Sequence, residues 1–210
     1  MTAEPSESIV TIPRTLLHVG CGPRGCAKIP GFFSPPEWRE VRLDIEPAYE
    51  PDILGTMLDM SAVATASVDA IYSSHNIEHL FLDEVPIALT EFLRVLKPDG
   101  FALVVCPDLN AAAQMIVAGT PMGTAYSTPA VDVTPLDIIY GHRGHTGRDK
   151  PFMSHHCGFT LASLIQTLEA NGFSMAFGVA ESFSLWVVAS KQPLSGQAMT
   201  DLTKSVLLTV

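Results

Sequence analysis

The sequence predicts an α/β domain built on a largely parallel sheet of the nucleotide-binding kind, and three observations predict it. A short apolar run, Leu16-Leu17-His18-Val19, empties directly into Gly20-Cys21-Gly22-Pro23-Arg24-Gly25. At such a junction glycine permits turns and close backbone approaches that a Cβ forbids. A second short run closes on an acid, Asp44. Beyond it, strand-sized apolar runs alternate with helical patterns, the βαβ rhythm that implies parallel pairing.

The elements follow in order. Residues 1–14 read as a flexible leader, with Ile9, Val10 and Ile12 packing at its end, and Thr15–Val19 is the first strand. Gly31 and the prolines Pro30, Pro35 and Pro36 then leave no room for a full helix before Trp38, because proline breaks interior helical hydrogen bonding. The first crossover is therefore expected to be short and irregular. Glu40–Leu43 is the second strand and Asp52–Met57 a short third, followed by a second acid, Asp59. Ser67–Tyr72 runs into a fourth, with Ser73-Ser74-His75 at its carboxyl end.

Asp83 is placed to cap a helix through Leu96, in which Val85, Ala88, Leu89, Phe92, Leu93 and Leu96 recur at three- and four-residue spacing. Glu91 and Arg94 sit three apart on its surface. Pro98-Asp99-Gly100 turns into a fifth strand, Phe101–Cys106, and Leu109–Val117 is a short helix. Gly119–Pro151 reads as a long loop or active-site cover, with a short helix around Leu136–Tyr140. Thr160 caps a helix over Leu161–Asn171 that Gly172 ends. Ser174–Ala180 and Ser184–Ser190 are the last two strands, paired as an antiparallel edge. Residues 192–210 read as a loosely patterned tail, with Val206–Val210 packing on the body.

Composition bounds the function. The chain has 210 residues, 47% of them hydrophobic and 16% charged, enough for one domain with a substantial core. The net charge is -10, and no Lys or Arg occurs between Leu43 and Leu93. Arg143, Arg148 and Lys150 form only a small basic cluster, so a nucleic-acid partner, which would need a basic stripe, is not expected. Nor is a membrane span, since the apolar runs are strand-sized. Cysteines 21, 26, 106 and 157 show no close pairing, which fits a reducing, cytoplasmic setting. A small-molecule substrate is the expected partner. Homodimerisation is compatible with the sequence and not specified by it.

Three motifs compete for the chemistry. Gly20-Cys21-Gly22-Pro23-Arg24-Gly25 fits the dinucleotide fingerprint letter for letter, but the prolines beyond it shorten the helix that would hold a pyrophosphate. His75-Asn76-Ile77-Glu78-His79 matches the H-x-x-E-H zinc-peptidase pattern, yet His75 falls at a strand end and no third-ligand helix follows. His142, His145, His155, His156 and Cys157 include metal-ligand types at a spacing that matches no standard site, so no metal is expected. His155 and His156 instead stand as candidate catalytic bases at a substrate mouth.

Taken together, Leu17–Gly22, Asp44, Asp59, Val68–Ile71, Glu78-His79-Leu80 and Glu91–Gly100 resemble the class I S-adenosylmethionine-dependent methyltransferases. The nearest resemblance is to small methyltransferase-domain proteins of the type-11 kind, over roughly Leu16 to Lys191, so that 15–191 reads as the domain. The resemblance implies a Rossmann-like methyltransferase fold, with a central seven-stranded, mostly parallel sheet and an antiparallel last strand. It implies S-adenosyl-L-methionine as cofactor and methyl transfer to a small acceptor. Gly20, Cys21 and Gly22 would lie against its methionine portion, and Asp44, with Ile45 beside it, would meet the ribose. Asp59 or the backbone of Met60 would meet the adenine amino group, and Ser74 and His75 would line the methyl donor's pocket. A methyltransferase-like partner subunit without catalysis is the alternative, followed by a nicotinamide-dependent oxidoreductase or a zinc peptidase.

Overall fold

The computed structural model describes residues 12–25, 29–128, 131–142 and 151–209. Strands β1 (Arg14–Val19), β2 (Trp38–Asp44), β3 (Ile53–Leu54), β4 (Val68–Ser74), β5 (Leu96–Pro107), β6 (Tyr126–Ser127), β7 (Asp132–Val133), β8 (Met175–Glu181) and β9 (Ser184–Ser190) alternate with five helices. These are α1 (Val85–Val95), α2 (Leu109–Val117), α3 (Pro135–Tyr140), α4 (Leu161–Ala170) and α5 (Gly196–Leu207). Seven strands form one sheet in the order β3-β2-β1-β4-β5-β9-β8, while β6 and β7 pair separately as an antiparallel ribbon. The pairs among β1 to β5 are parallel, and β9 runs antiparallel to both β5 and β8. This is the Rossmann-like methyltransferase topology that the sequence implied, with its antiparallel last strand.

Strict alternation sends successive side chains to opposite faces, so one sequence run builds two cores. Leu17, Val19, Ile71, Val104 and Val187 pack under α1 and α4, through Leu89, Phe92, Leu164 and Leu168. Leu16, Tyr72, Leu103, Val105 and Val188 face the other way. There the prolines have their expected consequence. Among the described residues between β1 and β2, the only regular piece is a single 3-10 turn, Gly31–Phe33. That face is closed by Phe33, Trp38 and Phe101, packed edge-on and stacked, and by α5.

Helix α5 was not visible as a helix in the sequence. Its Met199 and Val206 are buried against the second face, with Leu194, Leu202 and Leu207 packed beside them. Ser195 caps it, its hydroxyl accepting from the Ala198 N–H. The chain end also returns to the irregular crossover. Gly31 N–H donates to the Thr209 carbonyl and Phe32 N–H to the Thr209 hydroxyl, each at 3.0 Å.

A second difference concerns Pro98-Asp99-Gly100. The helix stops at Val95, and β5 starts at once at Leu96, pairing with Val68 before the register shifts to Ala70–Phe101. The expected turn is thus an irregularity inside a strand, anchored by Lys97 Nζ donating to Asp69 at 2.8 Å.

Candidate functional site

The strand order reverses between β1 and β4, and in open α/β sheets the crevice at such a switch point, outside the strands' carboxyl ends, is where ligands bind. A cleft of about 320 Å³ lies there. It is walled by Gly20, Gly22 and Pro23 after β1, by Asp44, Ile45 and Glu46 after β2, and by His75 and Asn76 after β4. Thr56, Met57, His79, Leu80, Phe152 and Met153 are among its other walls.

The glycine loop is shaped for this position. Gly20 and Gly22 have φ of +65° and +61°, in the left-handed region that favours glycine. A Cβ on Gly20 would stand 2.3 Å from Asn76 Nδ2, whereas one on Gly22 would meet no atom within 4 Å. The first glycine is demanded by packing and the second leaves an open wall. Asp44 ties the two walls together. Its Oδ2 accepts from Gly22 N–H at 2.8 Å and its Oδ1 from Glu46 N–H at 2.9 Å. A carboxylate offers about four lone-pair sites, so each oxygen keeps one for a further donor.

Arg42 is a supporting residue that the sequence reading missed. Buried behind the loop, its guanidinium donates to the carbonyls of Gly22, Tyr49 and Glu50. It thereby fixes the glycine loop to the segment after β2. The only sequence signal was an arginine within a strand otherwise bound for the core.

The predicted site residues separate into two groups. Gly20, Gly22, Asp44, Ile45 and His75 line the cleft together. Cys21 gives the loop its backbone, its N–H donating to the Leu43 carbonyl at 3.2 Å, but its side chain is buried beside His18 and Arg42 and its thiol pushed up to about 11, chiefly by burial. Ser74 ends β4 without lining the cleft.

Asp59 and Met60 lie outside it as well. Met60 is in the core, its N–H donating to Glu91 Oε2 and its carbonyl accepting from Arg94, each at 2.7 Å. Neither backbone group is left for an adenine. Asp59 faces a separate shallow depression with Ser61 and Thr90.

That arrangement assigns a job to the Glu91–Arg94 pair. Arg94 makes two contacts to Glu91, at 2.6 and 2.7 Å, and donates to the carbonyls of Met60 and Val63. The pair pins the loop after β3 onto α1. Losing hydrogen bonds to a charged group costs about 1.5–3 kcal/mol, so Arg94→Ala is expected to lower unfolding free energy by about that much in urea titrations. The Arg94 hydrogen bonds hold the Glu91 carboxyl below its ordinary range. A group depressed in the folded state contributes stability above its unfolded pKa, about 4.3, and loses it as pH falls through the lower folded value. The gap between wild type and Glu91→Gln should therefore close between pH 5 and pH 2.

A second cavity, of about 300 Å³, adjoins the first and shares His75, His79 and Met153 with it. Its other walls include Glu78, Pro107, Tyr126, Val133, Asp137, Ile138, His142 and His155. Most of these come from the Gly119–Pro151 stretch, whose described part forms β6, β7 and α3 over the carboxyl ends of β4 and β5. The capping box of Thr134 and Asp137, with hydrogen bonds of 2.6 to 3.3 Å, starts α3 and holds Ile138 in place. Arg143, His145, Arg148 and Lys150 lie outside the described residues, as does Cys26.

The two candidate bases part company here. His155 lines the second cavity; its Nδ1–H donates to the Ile138 carbonyl at 2.9 Å. Burial holds its pKa below the ordinary imidazole value. His156 is exposed and stacked on Phe81, with ring centroids 4.2 Å apart.

Comparison with known proteins bears on this architecture. Residues 17–104 match the family model described as a methyltransferase domain. Among solved structures, the chain is similar to the Burkholderia thailandensis 1,6-didemethyltoxoflavin-N1-methyltransferase, solved with bound 1,6-didemethyltoxoflavin and S-adenosylhomocysteine. The TM-score is 0.51 at 16% identity, over 86% of this chain and 72% of that one. It is also similar to an Aquifex aeolicus SAM-dependent methyltransferase, with TM-score 0.53, 13% identity, and 87% and 85% coverage. A third similarity is to the CMeT domain of the citrinin polyketide synthase, with TM-score 0.56 and 14% identity; 87% of this chain spans 47% of that one. No curated protein matches the chain. No helix among the described residues is long and apolar enough to cross a membrane. The sheet order, the cleft at its switch point and the likeness to these solved structures give this chain the fold of the class I S-adenosylmethionine-dependent methyltransferases, and residues 17–104 resemble the methyltransferase-domain model.

Proposed function

We propose that this chain transfers a methyl group from S-adenosyl-L-methionine to a small-molecule acceptor, with the first cavity holding the cofactor and the second the acceptor. The observation that carries the proposal is Asp44, fixed at the switch point with lone pairs to spare, opposite the open wall at Gly22. Vicinal ribose hydroxyls are donors and suit such a carboxylate. The apolar surfaces of Ile45, Met57 and Leu80 suit an adenine face. At about 320 Å³ the cleft falls in the range of small-ligand sites.

The cofactor supplies a methyl group on a sulfonium, already a strong electrophile. What remains for the protein is alignment, exclusion of water and care of the acceptor's proton. The cavities share His75, His79 and Met153, which supports a methyl-accepting atom near that junction. Of the two candidate bases, His155 is the one in the acceptor cavity. Because a carbonyl can only accept, Nδ1 of His155 carries the proton and Nε2 is the basic nitrogen. The low pKa keeps that nitrogen unprotonated at neutral pH. The cytoplasm remains the setting we propose.

Calorimetric titration of S-adenosylhomocysteine tests the cofactor site. The wild type should bind one equivalent, and Asp44→Ala should bind at least about tenfold more weakly, the equivalent of about 1.4 kcal/mol. Absence of binding by the folded wild type would overturn the proposal.

A further inference from the structure

Glu78 stands out among the described residues. It is 1% exposed, yet neither carboxylate oxygen has a hydrogen-bond partner among the described residues. The nearest basic side chain among the described residues is His75, whose Nδ1 is 3.5 Å from Oε1, too long for a good hydrogen bond. Glu78 is thus a carboxyl taken out of water with neither oxygen hydrogen-bonded, an arrangement that costs several kcal/mol unless something meets it.

Two imidazoles converge on it. One ligand atom each from Glu78, His79 and His155 lies within 4.8 Å of the other two. The rings of His79 and His155 meet edge to face with centroids 4.9 Å apart. Each ring is oriented from behind: His79 Nδ1–H donates to the Ser154 carbonyl at 3.1 Å and His155 Nδ1–H to the Ile138 carbonyl at 2.9 Å. Those bonds fix both tautomers with Nε2 as the unprotonated nitrogen, the arrangement outer-shell carbonyls impose on metal-binding histidines. The backbone joins the two sequence segments, since the Glu78 carbonyl accepts from His156 N–H at 2.9 Å and Cys157 N–H at 3.2 Å.

From this we infer that Glu78, His79 and His155 form a binding site for one divalent first-row transition ion, of which zinc is the representative. Two imidazole nitrogens and one carboxylate oxygen suit zinc or ferrous iron, not magnesium, which prefers oxygen ligands. Ligand atoms around a tetrahedral ion with bonds of about 2.0–2.2 Å lie about 3.4 Å apart, so modest side-chain rotation closes the set. Three protein ligands leave a coordination position on the acceptor cavity. There an oxygen of the acceptor can bind, a step that rests on the methyltransferase proposal; binding of the ion does not. In the loaded protein His155 Nε2 is a ligand and not a proton acceptor.

The test is calorimetric titration of zinc into the chelator-treated full chain, beside the S-adenosylhomocysteine titration. One zinc should bind per chain without competition from millimolar magnesium. Glu78→Gln and His155→Ala should each weaken it by at least tenfold. Both variants should retain S-adenosylhomocysteine binding within about threefold, which certifies that they fold. Cobalt in place of zinc should give a visible absorption band that Glu78→Gln loses. No zinc binding by a wild type that still binds S-adenosylhomocysteine overturns the site, as does binding in which either variant matches wild type. Loss of S-adenosylhomocysteine binding by the wild type, with zinc retained, overturns the cofactor proposal and leaves the metal site standing.

Discussion

Replacing Gly20 with alanine is expected to lower stability by about 2–5 kcal/mol and to abolish measurable binding of S-adenosylhomocysteine. Two costs add. An L-residue in the left-handed region loses about 1–2 kcal/mol, and Gly20 sits at φ +65°. The added Cβ would also stand 2.3 to 2.8 Å from three side-chain atoms of Asn76, an overpacking worth about 1–3 kcal/mol. Relief requires moving Asn76 or breaking the bond from Gly20 N–H to the Leu43 carbonyl, and either change deforms the cleft. Gly22→Ala is the matched control. Its φ is as positive, but its Cβ meets nothing within 4 Å, so only the conformational cost of about 1–2 kcal/mol applies. Chemical denaturation and ligand titration of both variants separate the effects. Equal stability losses would show that Asn76 yields freely and that packing does not dictate the first glycine.

How much of this site a sequence can show depends on whether its parts are local. Gly20, Gly22 and Asp44 were legible because each sits at the end of a strand whose apolar run marks it, and parallel neighbours bring strand ends together. Asn76, Met57, Leu80 and Met153 were not, since each wall position depends on where a loop is held. Asp59 and Met60 fall outside the cleft for the same reason. The Glu91–Arg94 pair draws that loop onto α1, although its three-residue spacing suggested a mere surface pair.

The histidines make the point from the other side. His75, Glu78 and His79 looked like a broken peptidase motif because the chain around them is a strand end and a 3-10 turn, not a helix. His155, which converges with Glu78 and His79, lies 76 residues beyond His79, brought in by backbone hydrogen bonds that no side-chain pattern announces.

The larger failure of legibility was the chain end, and it leads to the second major effect. A chain stopped after Lys191 is expected to show no cooperative thermal transition and to aggregate. In most βαβ units a crossover helix covers each face of the sheet, but the described residues between β1 and β2 offer only a 3-10 turn and a cluster of aromatics. Helix α5 supplies the missing cover. Met199 and Val206 are fully buried and Leu194, Leu202 and Leu207 partly so. At about 1.5–3 kcal/mol for each fully buried side chain, the two alone contribute about 3–6 kcal/mol. That is a large part of the roughly 5–15 kcal/mol by which a domain is stable. The signal was present as Met199, Leu202 and Val206 at helical spacing behind Ser195, but it is diluted by polar residues because one narrow stripe touches the sheet. Val206→Asp tests the same contact without shortening the chain, placing an unpaired charge within the second core. Circular dichroism melts should show the same loss for both variants. A truncated chain that melts like wild type would mean that the aromatic cluster closes this face without α5.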